Sequence, residues 1–219
     1  MLAACCVEPP TDPNITLDFD YDNSLNPTSM GNIYVIWLEN EAGDIQHLFV
    51  SKKLIKGGIT DQELALPLWQ LSRYKKDNKD MKKDVNAVTA ATLSNQDFTI
   101  TESIDEERLG TSFTLYMEID QSFQKNDWFT DDWKDQPAVL YSVQIDLDSA
   151  QKEYSLKPIG WTPMYETTVA GVVREVGTLV NDMRFITHSK VDDTPTFGEE
   201  DKNNSAIRSV GSITVTIKE

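Results

Sequence analysis

The sequence predicts a mainly β protein: an antiparallel β-sandwich with one or two short helices in a long insertion between strands. Short runs of alternating apolar and polar residues recur along the chain, with turn-forming residues between them. Helix signals are few and fall between residues 60 and 92. With 219 residues, of which 39% are hydrophobic, the chain is long enough to bury a substantial core.

The first predicted strand, 15–22, alternates strictly. Four apolar residues from Ile15 to Tyr21 fall on one face, and Thr16 and three aspartates fall on the other. The runs 32–39 and 45–52 flank a turn-like stretch with Gly43, a pattern typical of a β-hairpin. Further strands are predicted at 97–101, 112–119, 138–147, 153–158, 179–188 and 209–218.

The helix signals lie between the third and fourth predicted strands. Thr60 and Glu63 have the spacing of a capping box, but Pro67 is too deep for one continuous helix. We therefore expect a helix that begins near Pro67 and ends around Tyr74. Residues 84–92 are expected to add one further turn, and 194–204, rich in acids with a proline and a glycine, to form a loop.

The only two cysteines, Cys5 and Cys6, lie in the opening MLAACC. A disulfide between neighbours closes no loop, so it would add little stability. Residues 2–5, Leu-Ala-Ala-Cys, resemble the bacterial lipobox, which implies that Cys5 is lipidated. The polar, proline-rich residues that follow are typical of a tether. We predict a tether at 1–14 and a single elaborated β-sandwich domain at 15–219.

This N-terminus predicts a lipoprotein of the bacterial cell envelope, periplasmic or surface-exposed, with its lipid anchor in the membrane. The charged and apolar regions of a signal peptide do not precede the cysteine in the sequence as given. The alternative interpretation is a cytoplasmic protein with an irregular start.

The charge balance argues against nucleic acid as a partner. Acidic residues outnumber basic ones 36 to 20, for a formal charge of −16, which repels phosphate backbones. The lysines between residues 75 and 83 alternate with aspartates that cancel most of their charge. No stretch approaches the roughly 20 apolar residues of a membrane-spanning helix.

Metal and catalytic signals are weak. Asp18, Asp20 and Asp22 have calcium-loop spacing, but the loop would lack its glycine and its bidentate glutamate, so we expect the solvent face of a strand. His47 and His188 each lie in a predicted strand, and no nucleophile elbow or zinc spacing accompanies them. We predict no metal and no catalytic residue.

An aromatic-rich stretch at 123–133 connects two strong strands and is too long for a simple turn. Its Trp128, Phe129 and Trp133 are candidate contacts for an unknown protein or glycan partner in the cell envelope. The alternative is that the three rings fold back to cover one end of the sandwich.

Several short motifs occur together in order: residues 34–39 with Gly43, then 66–69, 86–92, 135–141 and 156–160. This set resembles a bacterial domain-of-unknown-function family of predicted periplasmic proteins, distantly like the immunoglobulin-like module of flagellar hook-capping proteins. The resemblance covers the chain from about Ile15 onward. It implies a secreted or periplasmic immunoglobulin-like sandwich and no established activity.

Residues 86–92, Asn-Ala-Val-Thr-Ala-Ala-Thr, resemble the signature on which extracytoplasmic flavin carriers receive FMN. The resemblance implies a phosphoester between FMN and Thr92. Asn86 and Ala90 depart from the signature, which has Asp and Gly there, and the alanine methyl can block a bulky group. The alternative is a small-residue turn packed against the sandwich.

Together these observations predict a non-catalytic, membrane-tethered binding or structural lipoprotein without a cofactor. The first alternative is a flavin carrier with FMN at Thr92. The second is a cell-envelope glycan hydrolase, which needs a cleft lined by paired carboxylates with raised pKa values.

Overall fold

The computed structural model describes residues 13–21, 33–51, 66–74, 98–120, 137–183 and 210–218. These residues are mainly β structure, with a short π-helical turn at Trp69–Tyr74 and one short helix, α1, at Glu106–Leu109. The strands are β1 (Asn14–Tyr21), β2 (Tyr34–Glu39), β3 (Ile45–Val50), β4 (Phe98–Ser103), β5 (Ser112–Asp120), β6 (Ala138–Asp146), β7 (Glu153–Ser155), β8 (Lys157–Thr162), β9 (Thr167–Val169), β10 (Val172–Arg174) and β11 (Val210–Lys218).

The strands form two main antiparallel sheets. The first sheet has the order β4-β1-β11-β7, and the second sheet has the order β3-β2-β5-β6-β8. In the first sheet, β1 pairs with β11 from the other end of the described chain, with Ile15 opposite Ile217 and Phe19 opposite Ile213. Strands β9 and β10 form a separate hairpin.

Strand β1 shows the alternation that the sequence predicts. Ile15, Leu17 and Phe19 are buried, whereas Asp18 and Asp20 are exposed. Because side chains alternate across a strand, one face of the first sheet points to the core and the other to solvent.

The two sheets pack face to face around one hydrophobic core. Phe19 of the first sheet lies 6.4 Å from Tyr34 of the second between ring centroids, and Phe98 lies 5.7 Å from Tyr34. Buried residues of both sheets belong to this cluster, among them Leu17, Val215, Ile36 and Met117. The predicted mainly β, antiparallel sandwich is confirmed.

The second sheet is also covered on its outer face. Strand β2 is buried on both sides: Ile36 faces the first sheet, whereas Val35 and Trp37 belong to a second apolar cluster. That cluster includes Leu66 and Trp69 of the 66–74 segment, which lies on this face. The near-continuous apolar run of β2 in the sequence reflects burial from both sides.

The predicted hairpin and the predicted helix are both present. Strands β2 and β3 pair across a turn in which Gly43 has φ of 84° and donates its N–H to the Asn40 carbonyl at 3.0 Å. The positive φ explains the glycine. The helical residues 67–74 coincide with the helix expected from Pro67 to Tyr74.

Two predicted strands are corrected. The run 153–158 is split into β7 and β8, which belong to different sheets, because the chain crosses between the sheets at the buried Leu156. Within 179–183, the described part of the predicted strand 179–188, there is one isolated bridge, from Val180 to Trp161. The backbone there covers the edge of β8 without continuing as a strand.

Two elements were not predicted. The β9–β10 hairpin turns at Ala170 and Gly171, whose φ angles are 51° and 76°, as a tight two-residue connection requires. Helix α1 is capped by Asp105, whose carboxylate accepts the Arg108 N–H at 3.1 Å. The expected turn at 84–92, the loop at 194–204 and the capping box at 60–63 lie outside the described residues.

Candidate functional site

The residues that the sequence analysis selected for anchoring, flavin attachment and partner contact lie outside the described residues. They are Cys5, Thr92, Trp128, Phe129 and Trp133. Their proposed roles therefore stay predictions.

The aspartates of β1 lie on the solvent face of the first sheet. Asp18 and Asp20 are exposed, and an oxygen of Asp18 accepts the Thr99 hydroxyl from the adjacent strand at 2.6 Å. Asp22 lies outside the described residues. In the described ranges, no group of three or more His, Cys, Asp or Glu side chains is arranged to hold a metal ion.

A fully buried carboxyl group lies on the outer face of the second sheet. Glu118 is on β5, the central strand of this sheet, between Val35 of β2 and Leu140 of β6. Its side chain is 0% exposed. Alternation along β5 places it opposite the face that packs on the first sheet, under the 66–74 segment.

Three donors hold the Glu118 carboxyl group. One oxygen accepts the backbone N–H of Leu68 at 3.0 Å and the Thr162 hydroxyl at 2.7 Å, and the other accepts the backbone N–H of Trp69 at 2.8 Å. Both amides belong to the first turn of a helical segment, where N–H groups have no partner within the helix. Glu118 therefore fastens the 66–74 segment to the sheet.

A second polar contact supports the same segment. The indole N–H of Trp69 donates to Nε2 of His47 on β3 at 2.9 Å, and the two rings meet edge to face with centroids 5.9 Å apart. Trp69 is fully buried, and His47 is buried on the sheet beneath it. His47, which the sequence places in a strand, is therefore a buried residue packed on the outer face of the second sheet.

Burial raises the pKa of Glu118 from 4.5 to about 7. The hydrogen bonds from Trp69, Thr162 and Leu68 lower this pKa, and the negative charge of Asp120, two residues further along β5, raises it. The cost of desolvating the carboxylate outweighs the three hydrogen bonds that favour it. The carboxyl group is therefore harder to ionise in the folded protein than in the unfolded chain.

A pKa near neutrality is a property of general acids and bases, but the geometry here favours a structural role. A catalytic carboxyl group must reach a substrate. The oxygens of Glu118 accept three hydrogen bonds, two from amides of the 66–74 segment and one from Thr162. We interpret Glu118 as an anchor of the fold.

An open cleft of about 210 Å³ lies on the same sheet face, beyond the 66–74 segment. A row of three directly paired residues runs across it: Glu39 of β2, Thr114 of β5 and Gln144 of β6. The row crosses two gaps between strands, so it spans roughly 10 Å. Ser112, Tyr116, Phe113 and two residues of the β2–β3 turn, Asn40 and Glu41, complete the lining.

The cleft combines polar groups with one aromatic ring. Tyr116 is half-buried and stacks on Trp37, with ring centroids 5.2 Å apart and planes inclined by 22°. The Trp37 indole N–H donates to a carboxylate oxygen of Glu39 at 3.2 Å. Gln144 is exposed. This arrangement offers hydroxyl, amide and carboxylate groups beside an aromatic surface.

The cleft lies at the end of the domain where the described chain begins. The side-chain amide of Asn40, in the cleft wall, donates to the carbonyl oxygens of Arg108 and Leu109 in α1. Just before α1, the Ile104 N–H donates to the Pro13 carbonyl at 2.8 Å. The cleft and the entry of the chain into β1 are therefore close in the fold.

Sequence reasoning identified neither Glu118 nor the cleft. The alternation of 114–119 places Glu118 on the polar side of β5, where a carboxylate is ordinarily exposed. Two signals could have revealed its burial: β2 is apolar on both faces, and the apolar Leu66-Pro-Leu-Trp69 can cover a second face. The cleft has no local motif, because its row is contributed by three strands.

Comparison with known proteins gives no family assignment. No family model, no curated protein and no solved structure matches the chain. Among the helices of the described residues, none is long and apolar enough to cross a membrane.

Proposed function

We propose that this protein is a non-catalytic, membrane-tethered binding or structural lipoprotein of the bacterial cell envelope. It would be anchored through Cys5 and carry an immunoglobulin-like sandwich in the periplasm or on the cell surface. The cleft on the second sheet is the observation that carries the binding role, because it places polar groups and an aromatic ring on paired strands. Rigid strands position such groups better than loops do.

The tether supports this proposal from the sequence. Between Cys5 and Pro13 the chain is polar and rich in proline, which favours an extended spacer. Eight residues reach at most about 28 Å when fully extended. An acyl group on Cys5 would hold the domain close to the bilayer, with its cleft-bearing end nearest to the membrane.

The anchor is tested by the intact mass and visible spectrum of the protein purified from its native membrane. An acylated chain beginning at Cys5 with no visible absorbance supports the tethered binding protein. An FMN mass with blue absorbance would replace this proposal by a flavin carrier modified at Thr92. An unmodified chain beginning at Met1 would refute the lipid anchor.

The predicted contact at Trp128 and Trp133 has its own test. Replacing both with alanine should leave the thermal unfolding temperature nearly unchanged if the rings serve a partner. A large decrease would show that they are core residues and would remove them from the binding proposal, since losing a buried tryptophan costs about 3–5 kcal/mol.

A further inference from the structure

We propose that the cleft crossed by Glu39, Thr114 and Gln144 binds a neutral carbohydrate, such as a glycan strand of the cell envelope. This inference rests on the proposed binding function and adds the chemical class of the ligand. It depends on the size of the cleft, its hydrogen-bonding groups, its charge and its position in the domain.

The size of the cleft suits one or two sugar rings. Its volume of about 210 Å³ is below the roughly 300–1,000 Å³ of pockets that enclose drug-sized ligands. The paired row of Glu39, Thr114 and Gln144 nevertheless extends roughly 10 Å across three strands. A short, open recess of this kind admits part of a polymer that continues beyond it.

The lining matches a sugar in its hydrogen-bonding groups. A sugar ring presents hydroxyl groups that both donate and accept, and it has an apolar face of C–H groups. Thr114 and Ser112 offer hydroxyl groups, Gln144 offers an amide that donates and accepts, and Glu39 offers a carboxylate. The half-buried Tyr116 supplies an aromatic surface with a polar tip.

The charge of the cleft argues against an anionic ligand. Glu39 and Glu41 both line it, and the whole chain has a net charge of −16. The carboxylates of the lining would repel phosphate and carboxylate groups of a ligand. A cation is the competing ligand, but an oxygen of Glu39 already accepts the Trp37 N–H, and the other side chains of the row are uncharged. The uncharged groups favour a neutral polyhydroxyl ligand.

The position of the cleft fits a polymer near the membrane. The cleft wall contacts α1 through Asn40, and the backbone just before α1 is bonded to Pro13. With Cys5 acylated, the tether of at most about 28 Å keeps this end of the domain near the bilayer. Envelope glycans are within reach of a cleft held at that distance from the bilayer.

The test is a titration of the isotopically labelled, full-length chain followed by the chemical shifts of its backbone amides. The probes are cellotriose, maltotriose and triacetylchitotriose, each at millimolar concentration, with trilysine as the cationic comparison. We expect saturable shifts for at least one trisaccharide at Thr114, Tyr116 and Gln144, and none along β11 on the first sheet.

The main variant is Gln144→Ala, because Gln144 is exposed and its removal leaves the core unchanged. Losing one hydrogen bond should weaken the binding of the trisaccharide by about threefold to tenfold. The matched control is Ser155→Ala, an exposed residue of β7 on the first sheet, which should leave the affinity unchanged.

Three other outcomes would overturn the inference, and they separate a wrong ligand class from a wrong binding site. If trilysine shifts the cleft amides and no trisaccharide does, the carbohydrate class is wrong while the binding function stands. If no probe shifts them, both the ligand class and the cleft as binding site fail. If a trisaccharide binds equally well to Gln144→Ala, the sugar site lies elsewhere.

Discussion

The buried carboxyl group of Glu118 predicts an unusual dependence of stability on pH. Its pKa is about 7 in the folded protein, against 4.5 for an ordinary glutamate. Because the folded state holds this proton more tightly than the unfolded chain, the contribution of Glu118 favours folding most at low pH. The stabilising contribution of Glu118 is fully present below pH 4.5 and is lost as the pH rises to about 7.

The size of the effect follows from the difference between the two pKa values. At 1.36 kcal/mol per pKa unit, the contribution of Glu118 to the free energy of unfolding falls by about 3 kcal/mol across this pH range. Partial burial also raises the pKa of Glu102. Glu102 is unchanged in a Glu118 variant, so its contribution cancels in the difference from the wild type.

The assay is urea unfolding of the wild type and of Glu118→Gln, followed by tryptophan fluorescence at several pH values. The NH2 group of glutamine cannot accept from the amide of Leu68 or Trp69, whereas the hydroxyl oxygen of a protonated carboxyl group still can, so the variant should be less stable at low pH. As the pH rises to about 7, the stability advantage of the wild type should shrink by about 3 kcal/mol.

The control for Glu118→Gln is Glu153→Gln, at an exposed position of β7, which removes a carboxylate without touching the 66–74 segment. Its stability should follow that of the wild type across the pH range. If the difference between the wild type and Glu118→Gln stays constant to within about 0.5 kcal/mol, burial does not govern this carboxyl group and the reasoning is refuted.

Four further substitutions test the fold by urea unfolding, and Asp18→Ala serves as the control for Leu17→Ala. Gly160→Ala would place a methyl group 2.7 Å from the Val180 carbonyl oxygen, so we expect a loss of about 1–3 kcal/mol, and an unchanged stability would contradict this close approach. Leu17→Ala should cost about 3 kcal/mol because its side chain is fully buried, whereas the exposed Asp18→Ala should cost less than about 1 kcal/mol. Gln46→Ala should cost about 1 kcal/mol, since its amide bonds the backbone on both sides of the β4–α1 junction; equal stability would show that water replaces these bonds.

The parts of the fold that the sequence predicts well are those whose signal is local. The alternation from Ile15 onward identifies β1, and the turn at Gly43 identifies the β2–β3 hairpin. Pro67 correctly marks the start of the helical segment. In each case the residues that decide the structure are neighbours in the chain.

The features that the sequence did not predict depend on distant partners. Leu156 belongs to a run that reads as one strand, yet the chain changes sheets there. The sequence pattern of β5 predicts that Glu118 is a surface carboxylate, but the 66–74 segment covers it in the structure. The cleft exists only because β2, β5 and β6 pair in the register that aligns Glu39 with Gln144 through Thr114.

The pairing of β1 with β11 affects how the protein is made. Ile15 and Ile217 are partners about 200 residues apart in the chain, and closing so long a loop slows folding. During synthesis, the first sheet lacks one of its two inner strands until β11 has left the ribosome. Until then, the edge of β1 that pairs with β11 can form hydrogen bonds with a strand of another chain. A chain shortened by its final ten residues would leave β1 and β7 in the first sheet without the strand between them.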